Sequence, residues 1–348
     1  MSVHPEGDAA IRQTDSDAIL ARWSAVQKGY FSDPFVRPLL PRGGHLQPSR
    51  PPLINVGTYV RSEGIDKLVH EWIDLSSAEG RKCQIVSLGA GSDTRFWRLA
   101  SSPRGQHLAR YIEMDFPENT SRKAMAIKKS KDLSALLGQP DDVKLGSGGV
   151  ALYSPVYTLL PADLRLPPAE AMSSLVQTAA AGDTPLLSPE LPTLLLFECV
   201  LVYMTPDSSG ALLQWFVDYF GTSSVPTVLG SVVYEMFGLN DAFGRVMKSN
   251  LQARNVTLPG AEPFPDVASL PSRFTAHGFF ASQAETLRDI RRFVISPAEL
   301  ERISELEMLD EVEELELVLQ HYAITWGLKL YGAANAAHWS TWGLKEAA

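Results

Sequence analysis

The chain has 348 residues, of which 45% are apolar and 20% are charged, and its formal net charge is −9 with histidine counted as neutral. This composition is that of a folded globular protein and excludes a disordered chain. A net acidic chain also argues against nucleic acid as the main partner, because phosphate binding requires a basic surface.

The first predicted elements are helices. Residues 1–15 show no apolar periodicity and are expected to form a flexible tail. Ser16 can cap a helix over Ser16–Lys28, whose apolar residues share one face. The apolar residues of Arg61–Ser76 recur at the 3.6-residue period of an amphipathic helix. We expect residues 16–80 to form a helical lid or cap over the rest of the chain.

Short apolar runs then alternate with helices, which is typical of a parallel sheet buried on both faces. The predicted strands are Gln84–Leu88, Tyr111–Met114, Val156–Leu160, Thr193–Phe197, Val228–Tyr234 and an alternating run from Tyr322 to Leu328. The capping box Ser296-Pro297-Ala298-Glu299 predicts an acidic helix that ends near Leu319. The predicted fold class is therefore α/β.

Two segments without a core pattern, residues 131–149 and 166–192, are interpreted as surface insertions. We expect one domain over residues 16–330 and a C-terminal tail over residues 331–348. The two cysteines fit a reducing, cytoplasmic compartment. The N-terminus lacks a signal-peptide pattern, the longest apolar stretch is too short to span a membrane, and the histidines show no metal-ligand spacing.

A glycine motif, Leu88-Gly89-Ala90-Gly91-Ser92-Asp93-Thr94, follows the first predicted strand. Glycines between a strand and a helix let the backbone approach a ligand closely. Thr94 occupies the position of the third glycine in the dinucleotide fingerprint, which disfavours a pyrophosphate at this turn. By itself the motif is equally compatible with an ordinary tight turn.

Acidic residues follow three more of the predicted strands, at Asp115, Asp163 and Glu198. In an open α/β sheet, ligands bind beyond the carboxyl ends of the strands. A carboxylate at Asp115 can accept two hydrogen bonds from ribose hydroxyls, and Glu198 interrupts an apolar run and needs a partner or ligand. The residues alone predict a nucleoside-binding α/β enzyme and leave a nicotinamide cofactor and S-adenosylmethionine open.

Several blocks together resemble the leucine carboxyl methyltransferases, which methylate the C-terminal leucine of the protein phosphatase 2A catalytic subunit. The blocks are Arg50–Arg61, Gln84–Thr94 with Phe96–Leu99, Glu113–Pro117, Ala162–Arg165, Glu198–Met204, Asp241–Gly244, Leu309–Glu311 and His321–Tyr322. The resemblance implies a class I S-adenosylmethionine-dependent methyltransferase fold. Such a fold is Rossmann-like, with a mostly parallel seven-stranded sheet and an antiparallel C-terminal strand.

The resemblance also implies roles for individual residues. Arg61 would form a bidentate pair with the methionine carboxylate of the cofactor, and Arg22 matches a basic residue that would assist it. Gly89 and Gly91 would line the cofactor through their backbone. Glu198 would lie near the methionine amino group.

The remaining implied roles concern the nucleoside and the acceptor. Asp115 would hold the ribose, and Asp163 and Leu164 would lie beside the adenine. Tyr203 would lie near the acceptor leucine. Because a C-terminal carboxylate has a reference pKa of about 3.3–3.7, it is already ionised at neutral pH. We therefore expect no essential general base.

Three alternatives remain open at this point. One is a methyltransferase of the same superfamily that acts on a small carboxylic acid or on transfer RNA. Another is a nicotinamide-dependent oxidoreductase, and the third is a phosphatase-binding protein without turnover. The preferred hypothesis is a methyltransferase with S-adenosylmethionine as cofactor, S-adenosylhomocysteine as product and the phosphatase 2A catalytic subunit as partner. It has no metal, nucleic-acid or membrane partner, and it predicts a monomer.

Overall fold

The computed structural model describes residues 5–177 and 185–347. Within them, the strands of the sheet are β1 (Cys83–Leu88), β2 (Leu108–Asp115), β3 (Lys144–Gly146), β4 (Ala151–Tyr153), β5 (Tyr157–Pro161), β6 (Thr193–Glu198), β7 (Thr227–Met236), β8 (Ala281–Thr286) and β9 (Tyr322–Tyr331). Each of the six predicted strands is present, and most extend one to three residues beyond the predicted ends.

The sheet order is β3-β4-β5-β2-β1-β6-β7-β9-β8. Strands β5, β2, β1, β6 and β7 pair in parallel, and β9 is antiparallel to both of its neighbours. The predicted mostly parallel sheet with an antiparallel last strand is therefore confirmed. The predicted count of seven is corrected to nine in the described residues, because β3 and β4 add an antiparallel hairpin beside β5. These two strands have three residues each, too few for a periodic pattern.

The register brings the predicted acids to one edge. Leu88 at the end of β1 is paired with Met114 and with Phe197, and Asp115 is paired with Pro161. The residues that directly follow these positions therefore leave the sheet side by side. This is the edge at which ligands bind in open α/β sheets.

The helices lie around this sheet. In the described residues they are α1 (Pro5–Gln27), α2 (Pro52–Ala78), α3 (Arg95–Ala100), α4 (Pro117–Lys129), α5 (Lys131–Ser134), α6 (Pro168–Ala171), α7 (Ser173–Val176), α8 (Pro206–Phe220), α9 (Ala242–Gln252), α10 (Ser272–Thr275), α11 (Leu287–Asp289), α12 (Pro297–Ser304), α13 (Val312–Gln320) and α14 (Ala336–Trp339). One π-helical turn, Ile290–Val294, follows α11. Side chains of α2 and α8 belong to two separate apolar clusters of the core.

Three predicted helix boundaries are wrong. The helix predicted from Ser16 begins at Pro5, so the described part of the predicted tail is helical. Helix α2 begins at Pro52, nine residues before the predicted start, with proline at its first turn, where the missing N–H costs nothing. The predicted acidic helix is two helices, because α12 ends at Ser304 and α13 begins at Val312.

The C-terminal segment is packed and does not form a loose tail. The rings of Trp339 and Trp342 lie 4.6 and 5.0 Å from the ring of Trp72 on α2, and both are buried. The predicted insertions also contribute to the core, through Leu133 and Leu175. Residues 178–184 of the second insertion lie outside the described residues.

Candidate active site

The glycine turn after β1 requires glycine by conformation and by space. Gly89 and Gly91 have φ angles of 69° and 47°, a backbone region that side chains disfavour. A Cβ atom on Gly89 would lie 2.4 Å from a methyl carbon of Val200, and one on Gly91 would lie 2.4 Å from a carboxylate oxygen of Asp15. Only glycine allows the backbone of this turn to pack so closely against Val200 and Asp15.

Asp115, the last residue of β2, points its carboxylate at this turn. The backbone N–H of Gly91 donates to Oδ2 at 2.6 Å, and Phe116 N and Asn119 Nδ2 donate to Oδ1 at 2.6 and 2.8 Å. Burial raises the pKa of Asp115, against the effect of these donors. A carboxylate has about four lone-pair positions, so three protein donors leave room for one ligand hydroxyl, where the sequence predicted two.

Arg61 and Glu198 form an ion pair beside the turn. Nε and Nη2 of Arg61 lie 3.0 and 2.9 Å from Oε2 of Glu198. The other carboxylate oxygen accepts from Nη1 of Arg95 at 2.7 Å. Burial alone would lower the pKa of Arg61, but the charge of Glu198 raises it. Within the described residues, Nη1 of Arg61 has no hydrogen-bond partner, so it can donate to a ligand.

Arg22 reaches the same region from α1. Its Nε donates to Asp33 at 2.6 Å, and its Nη1 donates to Ser62 at 3.0 Å. The third nitrogen, Nη2, is buried and has no partner among the described residues. Burial lowers the pKa of Arg22. An unsatisfied buried guanidinium nitrogen costs free energy, which a bound anion would recover.

Asp163 follows β5 and pairs with Arg165. The guanidinium of Arg165 donates to both carboxylate oxygens, at 2.8 and 2.7 Å, and lies 5.2 Å from the centre of the Phe116 ring. Burial raises the pKa of Asp163, but hydrogen bonds from Arg165 outweigh it and the pKa is lowered overall. Leu164 and Phe116 supply apolar surface at this end of the site.

An apolar end lies on the other side of Arg61. The guanidinium carbon of Arg61 is 4.4 Å from the centre of the Tyr234 ring, and Tyr234 stacks on Tyr322 with ring centres 5.5 Å apart. Tyr203, Met236 and other apolar side chains continue this surface. Burial raises the pKa of Tyr203, so its hydroxyl is neutral.

All of these groups line one cavity of about 350 Å³. The nine residues that the sequence singled out are all among its lining: Arg22, Arg61, Gly89, Gly91, Asp115, Asp163, Leu164, Tyr203 and Glu198. The cavity is polar at the glycine turn and apolar near Tyr203. Its size is within the range of about 300–1,000 Å³ that is typical of small-molecule sites.

Comparison with known proteins decides the family. The model of the leucine carboxyl methyltransferase family matches residues 10–217. This chain belongs to the leucine carboxyl methyltransferase family. It is 46% identical to leucine carboxyl methyltransferase 1 of Cryptococcus neoformans strain JEC21, over 92% of this chain and 94% of that protein.

Other proteins that this chain resembles are less similar to it. The chain is 36% identical to leucine carboxyl methyltransferase 1 of Schizosaccharomyces pombe, over 90% of this chain and 93% of that protein. A solved structure of a putative methyltransferase from Thermobifida fusca has a TM-score of 0.44 and 14% identity, over 90% of this chain and 94% of that chain.

Helix α1 covers the cavity of this methyltransferase. Asp15 of α1 accepts hydrogen bonds from the backbone N–H and the hydroxyl of Ser92, at 2.6 and 2.9 Å, and from Arg122 at 2.5 Å. Ile11, Ala18 and other residues of α1 line the cavity. Asp15 is not among the residues predicted from the sequence, because it lies in the segment that was expected to be a flexible tail.

Three further cavity residues, Asp93, Arg95 and Asn119, were not predicted from the sequence. Asp93 and Arg95 stand inside or beside the glycine motif, and that proximity was the signal that could have identified them. Asn119 is one turn into the helix that follows Asp115, and its amide reaches back to that carboxylate.

The described part of the methyltransferase contains no cluster of metal-binding side chains. Each helix in that part is too short or too polar to cross a membrane.

Proposed function

We propose that this methyltransferase transfers a methyl group from S-adenosylmethionine to the α-carboxylate of the C-terminal leucine of the protein phosphatase 2A catalytic subunit, giving a methyl ester. The observation that carries the proposal is the cavity itself. It gathers the guanidinium groups of Arg22 and Arg61, a glycine turn and the acids from three strand ends, and it continues into an apolar end. Membership of the leucine carboxyl methyltransferase family supports carboxyl methylation.

The residues present fit S-adenosylmethionine. Nη2 of Arg22 is buried and lacks a partner among the described residues, and Arg22 and Arg61 both line the cavity, so each is a candidate donor to the carboxylate of the cofactor. The carboxylate of Glu198 suits a neighbouring ammonium group. Asp115 has one acceptor position for a ribose hydroxyl, and Phe116 and Leu164 offer apolar surface for a purine.

S-adenosylmethionine supplies an activated methyl group on a sulfonium when it is bound. The protein has to align the acceptor oxygen with that methyl carbon and to exclude water that would solvate the anion. Helix α1, held to the glycine turn by Asp15, excludes water from one side. The acceptor carboxylate needs no proton removed, so we propose no general base. The apolar surface around Tyr203 is proposed to receive the leucine side chain.

The test uses radiolabelled S-adenosylmethionine and the phosphatase core, either intact or lacking its last leucine. We expect alkali-labile label on the intact phosphatase and none on the truncated one. Equal labelling of both would refute the acceptor assignment. Label on small carboxylic acids or on transfer RNA, without label on the phosphatase, would favour the first alternative.

The cofactor can be tested separately by titration calorimetry. We expect binding of S-adenosylhomocysteine and none of the nicotinamide dinucleotide. The reverse result would favour the oxidoreductase alternative. Single-turnover kinetics would distinguish an enzyme from a phosphatase-binding protein that lacks turnover.

A further inference from the structure

Asp241, the residue before α9, uses both of its carboxylate oxygens. Oδ1 accepts from the backbone N–H of Gly244 at 2.7 Å and so caps α9. Oδ2 lies 3.1 Å from Nε2 of His321. Gly244 permits this turn, because a Cβ there would lie 2.4 Å from the Cα of Leu239. One side chain therefore both starts α9 and ties it to His321.

The surroundings of His321 fit an imidazolium. His321 is 5% exposed and caps the C-terminus of α13, where the helix dipole favours a cation. Its Nδ1 lies 2.8 Å from the carbonyl oxygen of Leu317, which can only accept, so Nδ1 carries a proton. A hydrogen bond from Gly244, together with His321, lowers the pKa of Asp241. Ionised Asp241 can only accept, so Nε2 carries a proton as well.

Helix α9 contributes one residue to the lining of the cavity. Leu251, in its last turn, lines the cavity, and Met247 packs in the same apolar cluster as Tyr203 and Tyr322. Just beyond the helix, Arg254 forms an ion pair with Asp17 on α1. The His321–Asp241 pair thus anchors the first turn of α9, and the residues that follow the last turn of α9 contact α1.

We propose that His321, as an imidazolium, and Asp241 are positioning residues that hold α9 in place at the acceptor end of the cavity. Neither lines the cavity, so they act through Leu251 and its neighbours. The inference rests on the proposed function, because that function assigns the leucine to the Tyr203 end.

Other groups also surround this pair. Arg245 of α9 lowers the pKa of Asp241, and Arg288 bonds to Gln320 beside His321. The ring of Phe243 covers the imidazole at 4.6 Å.

The first experiment is hydrogen exchange of the full-length protein. In H321Q, both N–H donors of the glutamine amide are on one nitrogen and cannot replace the two separate ring nitrogens that reach Leu317 and Asp241. The α9 amides should therefore exchange about tenfold faster than in the wild type. The matched control is H277Q, because His277 lies away from the cavity and bonds to Gln214. The exchange of α9 in H277Q should equal that of the wild type.

The second experiment separates the charge from the helix cap. D241N keeps an oxygen for Gly244, since asparagine is a good N-cap, but it has no negative charge to pair with His321. At one fixed pH we expect the α9 amides to exchange about fivefold or more faster in D241N than in the wild type, because the charge-assisted hydrogen bond to His321 is lost. Wild-type exchange of α9 in D241N would show that the charge of Asp241 does not hold this helix.

The third experiment measures steady-state kinetics with the intact phosphatase core. H321Q should raise the KM for the phosphatase about fivefold or more, while the KM for S-adenosylmethionine stays within about twofold of wild type. Wild-type values in both α9 exchange and phosphatase KM for H321Q would overturn the proposal. A wild-type protein that leaves the phosphatase unlabelled would instead refute the proposed function, and the exchange of H321Q would still decide whether His321 holds α9.

Discussion

Arg95 joins three acids that stand far apart in the chain. Its Nε donates to Asp66 at 2.7 Å, and its Nη1 donates to Asp93 at 2.6 Å and to Glu198 at 2.7 Å. Only 3% of its side chain is exposed. A buried charge needs partners, and removing one leaves the others uncompensated. Glu198 therefore stays in place between Arg95 and Arg61, at the carboxyl end of β6.

At the residue scale, the first prediction concerns Arg61. In R61K, one ammonium nitrogen replaces the three nitrogens of a planar fork, so it cannot keep two hydrogen bonds to Glu198 in their present geometry and also direct a separate nitrogen to a ligand carboxylate. We expect the Kd for S-adenosylhomocysteine to rise about tenfold or more, as measured by titration calorimetry. The matched control is R104K, because Arg104 pairs with Asp74 on the exposed surface, and its Kd should be unchanged. Equal affinity of R61K and wild type would remove Arg61 from the proposed site.

At the element scale, α1 is held over the cavity by contacts that local sequence does not reveal. Asp15 bonds to Ser92, which is 77 positions away in the chain, and Asp17 pairs with Arg254. The apolar stripe from Ile19 onward predicted the second half of this helix. The first half has no such stripe, and its partners lie on other elements.

The prediction for this element is that D15A weakens the contact between α1 and the glycine turn, so that α1 covers the cavity less tightly. Losing charge-assisted hydrogen bonds costs about 1.5–3 kcal/mol, so S-adenosylhomocysteine should dissociate about tenfold or more faster, as followed by stopped-flow fluorescence. The amides of α1 should also exchange faster. Q13A is the control, because Gln13 lies on the same helix but is exposed. If D15A and Q13A have the same dissociation rate, Asp15 does not hold the lid.

At the scale of the whole molecule, the free energy of unfolding depends on the protonation of one carboxylate that is buried inside the sheet. Glu113 of β2 is fully buried. It accepts from Tyr157 at 2.7 Å and pairs with Lys123 at 2.5 Å. Its other oxygen, Oε1, is buried without a partner in the described residues. Burial raises the pKa of Glu113 from 4.5 to about 7, despite the charge of Lys123.

This pKa shift predicts how the free energy of unfolding of E113Q, relative to wild type, changes with pH. Between about pH 4.5 and about pH 7 the folded state binds the proton more tightly than the unfolded state, so the contribution of Glu113 to stability falls by roughly 3 kcal/mol as pH rises. The free energy of unfolding of E113Q relative to wild type should therefore increase from about pH 5 to about pH 8. Urea denaturation would measure it, with E170Q as an exposed control. A constant difference across this range would contradict the raised pKa.

The sequence by itself determined the alternation of strands and helices, the α/β class, the glycine turn and the acids at the strand ends. These depend on local periodicity and on the short distance between a strand and the turn that follows it. Parallel strands end at a common edge, so the cavity residues could be predicted together even though they are distant in the chain.

Only the tertiary structure decided which charges pair, what covers the cavity and where the chain packs at its C-terminus. Arg61 and Glu198 are 137 positions apart, and Trp342 bonds to a carbonyl oxygen 274 positions earlier. The strands β3 and β4 are too short to show a period, and the start of α1 has no apolar stripe of its own. Such features depend on partners supplied by other elements, and a pattern within one segment carries no information about a partner elsewhere.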